Sequence, residues 1–544
     1  MIAIIDFGGQ YVQNIRRCFL ELGYRAEIFS PESIPENVDG VVLSGGPASV
    51  YEGEAPRVSG GILELGVPVL GICYGHQLLA QMLGGKVERG RGEYGFAELE
   101  IVKRDPILKG FSNGEICWMS HRDCVTKTPG EVLARTEKTQ IAAFRFGKIY
   151  GVQFHPEVSH TPKGYVLLRN FAKLCRAERI SWSVRKFLKE KEREIKKTKG
   201  KVLVAVSGGV DSATLLFFAR RLMGRRVVGL HIDTGFMRKG ESRWVGKKLG
   251  VNVVDRKKIF LKALEGVRNY DERRRIIGEL FVREFEKFAR RMGIDHFMQG
   301  TIAPDVIEST RGSSKGKGCI KLHHNVGGMP ESVSLNVIEP FRELFKYQVR
   351  ELARFLGVPP EIRKRQPFPG PGLACRITCE ITPERIELLR EVTEVVEREL
   401  SRYGADQYFA ALASAEIEKE ECEDYRIIVL RDRAVGVKGD ERVLGSIAFV
   451  EIPEIERKRW VELLKLQGKL TEGDVVRVVA LLHEGEGEHS LILRAVNTRD
   501  FMTAIPARVN FKHLKTLARK LGDYGMRFVG YEITTKPPAT IELI

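Results

Sequence analysis

The chain has 544 residues, of which 43% are hydrophobic, and a formal net charge of +17 at pH 7. That length exceeds what one hydrophobic core organises and predicts roughly three or four domains, and no apolar run approaches the roughly 18 residues of a membrane span. Nine scattered cysteines favour reduced thiols and a cytoplasmic location over a disulfide framework, and we expect no membrane partner.

The positive charge is compatible with two kinds of partner, nucleic acid or small phosphorylated substrates. Part of the excess lies in residues 185–201, where nine Lys and Arg accompany three Glu. We interpret this run as a solvated helix face that joins two domains. The charge therefore does not lead us to expect a nucleic-acid partner.

Strand–turn–helix units open the chain. Residues 1–6 read as a first strand rather than a signal peptide, and apolar residues at helical spacing predict a helix over 12–22. Further strands are predicted at 39–43 and 67–72. This alternation predicts an α/β fold with a parallel sheet.

A cysteine follows the third strand, in the turn Gly71-Ile72-Cys73-Tyr74-Gly75. The two glycines allow the sharp bend of a nucleophile elbow, with sulfur in place of a hydroxyl. The start of the next helix favours the reactive thiolate. A buried structural cysteine is the alternative.

A histidine and a carboxylate end a later strand, at His155 and Glu157. Spacing of two on an extended chain puts both side chains on one side. The carboxylate can then orient the imidazole, which serves the thiolate as acid and base. We expect another histidine, His121, to be structural.

Three motifs in residues 1–175, GGPASV, GICYGHQ and GVQFHPE, resemble the class I glutamine amidotransferases. The resemblance implies that Cys73 attacks the side-chain amide of glutamine and that ammonia leaves. His155 would be the general base and then the acid, oriented by Glu157. The turn Gly45-Gly46 and the amide of Tyr74 are our candidates for the oxyanion hole.

A second strand–turn–helix unit begins at residue 202 and carries a glycine-rich turn. Its residues are Ser207, Gly208, Gly209, Val210, Asp211, Ser212 and then Ala213. Such a turn before a helix forms an anion site, and it lacks the lysine of a Walker A loop. A glycine-rich turn without a ligand is the alternative. The turn resembles the pyrophosphate loop of the N-type ATP pyrophosphatases, which implies that residues 207–213 bind ATP and that Asp211 holds Mg²⁺.

The strand predicted at 227–232 completes a strand–helix–strand unit and predicts a doubly wound parallel sheet, with the nucleotide at the carboxyl ends of the strands. Residues 311–318 are rich in Gly, Ser and Lys and predict a lid that closes over phosphates.

Further motifs, APDVIES, IKLHHNVGG, IEPFRELFK, QPFPGPGLACR and a closing KPPATIE, resemble the glutamine-hydrolysing GMP synthetase family over nearly the whole chain. The resemblance implies conversion of xanthosine monophosphate (XMP) to GMP through an adenylyl-XMP intermediate, with ATP, Mg²⁺ and glutamine, in a homodimer. The implied lid residues are Asp305, Glu308, Lys321, His323 and His324. The implied XMP contacts are Lys536 and Glu542.

The implied domains are an amidotransferase over 1–178, a charged linker over 179–200, an ATP pyrophosphatase over 201–375, and a smaller α+β dimerisation and XMP-binding domain over 376–544. Three alternatives stay open at this point. They are an NAD or asparagine synthetase of similar design, an RNA-binding enzyme that modifies tRNA, and a degenerate amidotransferase module with a regulatory role.

Overall fold

The computed structural model describes residues 1–9, 11–33, 37–180, 182–303, 335–422, 424–438, 441–471, 473–498 and 503–544. These residues form two compact units. The first contains residues 1–182 with 461–468 and 498–505, and the second contains 183–460, 469–497 and 506–544. Every helix among the described residues is too short or too polar to cross a bilayer.

The first unit is built on one sheet with helices on both faces. Its strands are β1 (Ile2–Ile5), β2 (Ala26–Phe29), β3 (Gly40–Leu43), β4 (Val69–Ile72), β5 (Lys86–Ile101), β6 (Glu115–Lys127), β7 (Glu131–Arg135), β8 (Ala143–Phe146) and β9 (Ile149–Val152). Its helices are α1 (Val12–Glu21), α2 (Tyr74–Met82) and α3 (Gly164–Leu174).

The strand order is β2-β1-β3-β4-β9-β8-β7-β5-β6, and the first five strands in this order are parallel. Strand β1 is fully buried, and its residues alternate between two cores. Ile2 and Ile4 pack in the cluster that contains α1 and α3, whereas Ala3 and Ile5 pack in the cluster that contains α2. Successive side chains of β1 point to opposite faces of the sheet, and both faces are buried. Every position is therefore apolar, which explains the continuous apolar run in the sequence. The carboxyl ends of β4 and β9 lie side by side and carry the functional residues described below.

The second unit begins with a parallel sheet of order β12-β11-β10-β13-β14. Its strands are β10 (Val202–Ala205), β11 (Val227–Asp233), β12 (Asn252–Asp255), β13 (His296–Met298) and β14 (Asn336–Ile338). The helices of this region are α4 (Val184–Ile195), α5 (Val210–Met223), α6 (Glu241–Leu249), α7 (Lys257–Leu264), α8 (Tyr270–Met292), α9 (Lys346–Phe355), α10 (Pro360–Arg363) and α11 (Pro383–Leu400).

Helix α4 occupies the charged stretch that the sequence suggests as a linker. Its charged residues form the exposed side, whereas Phe187 is buried and its ring lies 6.1 Å from that of Phe218 on α5. The helix is therefore amphipathic, with one apolar stripe packed on the second unit.

A mixed sheet follows, with the order β15-β20-β22-β19-β18-β17-β16. The strands are β15 (Gln407–Ser414), β16 (Ile417–Cys422), β17 (Arg426–Lys438), β18 (Glu441–Glu451), β19 (Val475–Glu484), β20 (His489–Asn497), β21 (Ile505–Pro506) and β22 (Met526–Glu532). The remaining helices are α12 (Trp460–Leu470), of which residues 461–468 belong to the first unit, and α13 (Phe511–Gly522). The α/β class, the doubly wound sheet and the α+β C-terminal region expected from the sequence are confirmed. The predicted domain boundaries stay a prediction.

Candidate active sites

The first candidate site is the turn between β4 and α2. Cys73 occupies it with a φ of +53°, which is strained for a residue other than glycine. A Cβ on Gly71 would lie 2.4 Å from the carbonyl oxygen of Gly75, and a Cβ on Gly75 would lie 2.4 Å from that of Leu43. Both glycines are therefore required by close backbone approaches, and the turn has the geometry of a nucleophile elbow.

The side chain of His155 lies between Cys73 and Glu157. Its Nδ1 donates a hydrogen bond of 2.7 Å to Oε1 of Glu157, and the Cys73 side chain is close enough to raise the pKa of the imidazole. Both His155 and Glu157 are buried. The structure therefore assembles the three residues that the sequence predicted as nucleophile, base and orienting carboxylate.

The electrostatics of this site favour a charged imidazole. Burial by itself lowers the pKa of His155, but the charges of Glu157 and Cys73 and hydrogen bonds to both outweigh it, so the net pKa is raised well above its usual value. A raised histidine pKa next to a cysteine stabilises the imidazolium–thiolate pair, and the thiolate is the attacking species.

The turn after β3 borders the same site. A Cβ on Gly45 would lie 3.2 Å from Cε1 of His155 and 3.6 Å from Cβ of Cys73. Tyr74 is the first residue of α2, so its amide has no acceptor within the helix. The main chain at these two places is therefore available to hold an oxyanion next to the sulfur.

His121 illustrates why spacing alone does not select the base. Asp123 lies two residues after it, as Glu157 lies two residues after His155. However, Nδ1 of His121 donates to the main-chain oxygen of Asp123 at 2.9 Å, whereas the Asp123 carboxylate accepts from the hydroxyls of Ser49 and Tyr51. Burial lowers the pKa of His121. Among the described residues, therefore, no carboxylate orients this histidine.

The second candidate site is the turn between β10 and α5. Gly208 has a φ of +90°, and a Cβ there would lie 2.6 Å from Cγ2 of Val245. The loop closes on itself because the Ser212 hydroxyl accepts from the Ser207 amide at 3.1 Å. The turn then leads into the first turn of α5, whose amides face the same end. This arrangement is a main-chain anion site.

Asp211 lies in the first turn of α5 and pairs with a lysine that the sequence analysis missed. Its Oδ2 forms an ion pair with Nζ of Lys346, the first residue of α9, and the two side chains are only 28% and 20% exposed. Its Oδ1 is buried and has no hydrogen-bond partner among the described residues. The only signal in the sequence was the motif IEPFRELFK, which ends at Lys346.

The C-terminal tail is held by buried arginines. Arg376, which is 1% exposed, binds the Glu542 carboxylate with two hydrogen bonds of 2.9 and 3.1 Å. Arg477 donates to the Thr540 hydroxyl at 2.7 Å, and Arg494 donates to the Thr540 carbonyl at 3.0 Å. The tail that carries the two predicted XMP contacts is therefore fixed to the protein interior at several points.

Beneath this tail, Glu532 accepts from both Arg477 and Arg494, at 2.9 and 2.5 Å, and all three side chains are fully buried. Lys536, the other predicted XMP contact, is partly buried. The predicted lid residues Asp305, Glu308, Lys321, His323 and His324 lie outside the described residues.

A cavity of about 560 Å³ lies beyond the carboxyl end of β11. Asp233 and Gly235 line it, and Arg238, Lys257 and Arg390 contribute positive charge. Its volume lies in the range of small-molecule sites. The carboxyl ends of a parallel sheet are where a doubly wound fold binds its ligand.

Two protein-family models match this chain, one over the amidotransferase-like region and one over the C-terminal region. Residues 3–175 match the family model "Glutamine amidotransferase class-I", and residues 475–543 match the model "GMP synthase C terminal domain". The fold and the Cys73–His155–Glu157 geometry thus define the first unit as a class I glutamine amidotransferase.

Curated relatives extend the match to the full length, and each bears the name "GMP synthase [glutamine-hydrolyzing]". The relative from Pyrobaculum aerophilum is 40% identical and covers 99% of both chains. The relative from Caldicellulosiruptor saccharolyticus is 40% identical over 100% of this chain and 99% of its own. One from Thermus thermophilus is 41% identical over 100% of both. The chain belongs to the glutamine-hydrolysing GMP synthase family, as its motifs predicted.

Proposed function

We propose that this protein converts XMP to GMP, using ATP and ammonia released from glutamine, and yields AMP, pyrophosphate and glutamate. The observation that carries the proposal is the assembled Cys73–His155–Glu157 triad in a chain that matches GMP synthases over its full length. An intact triad also argues against a degenerate regulatory module.

The first reaction is hydrolysis of the glutamine side-chain amide. The Cys73 thiolate attacks the amide carbon, and His155 delivers a proton to the nitrogen as ammonia departs. Water then attacks the thioester with His155 as base, which releases glutamate and restores the thiol. Glu157 holds the imidazole in one orientation, and the amides near Gly45 and Tyr74 stabilise the oxyanion of both steps.

The second reaction attaches AMP to the O2 atom of XMP. The xanthine oxygen attacks the α-phosphorus of ATP, pyrophosphate leaves, and ammonia then displaces AMP at C2. Residues 207–213 hold the leaving pyrophosphate through main-chain amides. The loop itself contains no lysine or arginine. Lys346 supplies a positive charge next to it, because its side chain forms an ion pair with Asp211.

The residues of the loop also fit Mg²⁺. A hard cation prefers carboxylate oxygens, and the buried Oδ1 of Asp211 has no partner among the described residues. Mg²⁺ held there would neutralise the phosphate charge of ATP.

The tail supplies XMP contacts in this proposal. Two of the roughly four lone-pair sites on the Glu542 carboxylate accept from Arg376, which leaves capacity for an N–H of the purine. Lys536 suits the phosphate of XMP. The proposal also includes the lid residues named from the motifs. It further includes a homodimer formed by the C-terminal region and a cytoplasmic location.

The experiment that tests this function compares two nitrogen sources. Because Cys73 serves only ammonia production, the full-length Cys73→Ala variant should lose glutamine-dependent GMP formation and retain GMP formation with added ammonium. Loss of both activities would contradict this division of labour.

A panel of acceptors separates the alternatives. With ATP, Mg²⁺ and ammonium, only XMP should give AMP, whereas aspartate or nicotinic acid adenine dinucleotide would do so for the related synthetases. Salt-sensitive capture of RNA would instead favour the tRNA-modifying alternative.

A further inference from the structure

Strand β6 runs directly past the triad. The main-chain oxygen of Ser120 accepts from Sγ of Cys73 at 3.6 Å, and that of Trp118 accepts from the amide of His155 at 3.1 Å. Arg122 follows Ser120 by two residues, which is about 6.6 Å along a strand. An arginine is therefore placed one side-chain length from the nucleophile.

The side chain of Arg122 leaves the strand on the open side. His121 and Asp123, its neighbours on β6, are buried, whereas the Arg122 side chain is 48% exposed. Its Nη2 donates to the Ser49 hydroxyl at 3.2 Å. Ser49 belongs to the turn that continues from Gly45, the residue packed against the triad. The guanidinium thus lies at the rim of the site and reaches from β6 to the turn.

Most of the hydrogen-bonding capacity of this guanidinium is unused. Within the described part of the chain, its contacts are the Ser49 hydroxyl and the Asp123 carboxylate, whose Oδ1 lies 3.7 Å from Nε. That carboxylate already accepts from Ser49 and Tyr51. An arginine has five N–H donors, so several remain for an anion that enters from solvent.

The proposed substrate brings such an anion. In glutamine, four single bonds separate the amide carbon from the α-carboxylate carbon, which spans about 5 Å when extended. A glutamine with its amide at Cys73 and its other end toward the rim would put its carboxylate within reach of Arg122. Arginine and carboxylate form paired, charge-assisted hydrogen bonds.

We propose that Arg122 binds the α-carboxylate of glutamine and so makes the site specific for the free amino acid. This inference rests on the proposed glutaminase function. It predicts that Arg122 acts on substrate recognition and leaves the chemistry at Cys73 to the triad.

The test measures glutamate or product release by the full-length protein with glutamine and with L-glutaminamide, in which a neutral amide replaces the α-carboxylate. Wild type should prefer glutamine in kcat/KM. In Arg122→Ala, the KM for glutamine should rise about 10–100-fold, as for loss of a hydrogen bond between charged groups. The kcat should change less than about threefold, and the kcat/KM for glutaminamide should stay constant.

Two further variants complete the design. Arg122→Lys keeps the charge and should recover part of the preference for glutamine. Arg104→Ala removes an exposed arginine of the same unit and should behave as wild type. Turnover of glutaminamide reports whether the amidotransferase unit of each variant is folded, and ammonium-dependent GMP formation reports the same for the second unit.

A collapse of the preference for glutamine over glutaminamide in Arg122→Ala supports the proposal. An equal loss with both substrates would show that Arg122 only braces Ser49 and Asp123 and would overturn it, as would an unchanged KM. Failure of the proposed function is a different result, since wild type would then release no glutamate from glutamine.

Discussion

The contact between His155 and Glu157 allows a quantitative prediction for Glu157→Gln. The two atoms lie 2.7 Å apart in a buried site. At that distance, and with an effective dielectric constant of about 20, the attraction between imidazolium and carboxylate is about 6 kcal/mol. This value is an upper bound, because a glutamine amide still accepts the Nδ1 hydrogen. We therefore expect a loss of about 10²–10⁴ in kcat for glutamine hydrolysis.

The pH dependence of thiol alkylation gives a second measurement on the same variant. In wild type the raised pKa of His155 keeps the imidazole charged at neutral pH, and a positive charge next to a cysteine promotes attack by its sulfur. Loss of the Glu157 charge removes the largest contribution that raises this pKa, so the pKa of His155 should fall. Iodoacetamide should then inactivate the variant more slowly at pH 6–7. The two rates should converge above about pH 9.5, where an ordinary thiol ionises without help.

The control is Glu137→Gln, which changes an exposed carboxylate of the same unit and should leave hydrolysis unchanged. Ammonium-dependent GMP formation should persist in both variants. A loss of less than about threefold for Glu157→Gln, or alkylation profiles that coincide at all pH values, would refute the role of the carboxylate in charging and orienting His155.

Two other regions give predictions of the same kind. Asp211→Asn should reduce both glutamine- and ammonium-dependent GMP formation by more than about 10²-fold, and normal pyrophosphate release would show that the metal assignment is wrong. Lys346→Ala should raise the KM for ATP about 10–100-fold while glutamine hydrolysis persists, and an unchanged KM would remove Lys346 from the phosphate site. Glu532→Gln removes the carboxylate that forms ion pairs with two fully buried guanidinium groups, so the C-terminal region should lose about 3–5 kcal/mol of stability. Urea denaturation measures this loss, with exposed Glu391→Gln as the control, and equal midpoints would contradict it.

The two candidate site turns were readable from the sequence because each is a local structure. The turn at Cys73 needs glycines within two residues on either side, and the turn at Ser207 needs Gly208 and a helix that starts three residues later. Such requirements leave a signature within a few positions. The motifs around them also indicated the family, which the full-length relatives bear out.

The expectation that His155 is the base and His121 is structural does not follow from spacing alone, because each histidine is followed by a carboxylate after two residues. Packing selects between them. The side chain of Asp123 turns to hydroxyls of the turn after β3, whereas that of Glu157 turns to the imidazole next to Cys73.

By itself, the sequence determined where strands meet glycine turns and which residues can be nucleophile, base and phosphate ligand. Only the tertiary structure brought Lys346 to Asp211, across 135 residues, and placed Glu532 between two buried arginines under the tail. These contacts depend on which elements pack together, and no local periodicity encodes a partner more than a hundred residues away. A charged group far along the chain becomes part of a site only when the hydrophobic core folds and brings the two elements together.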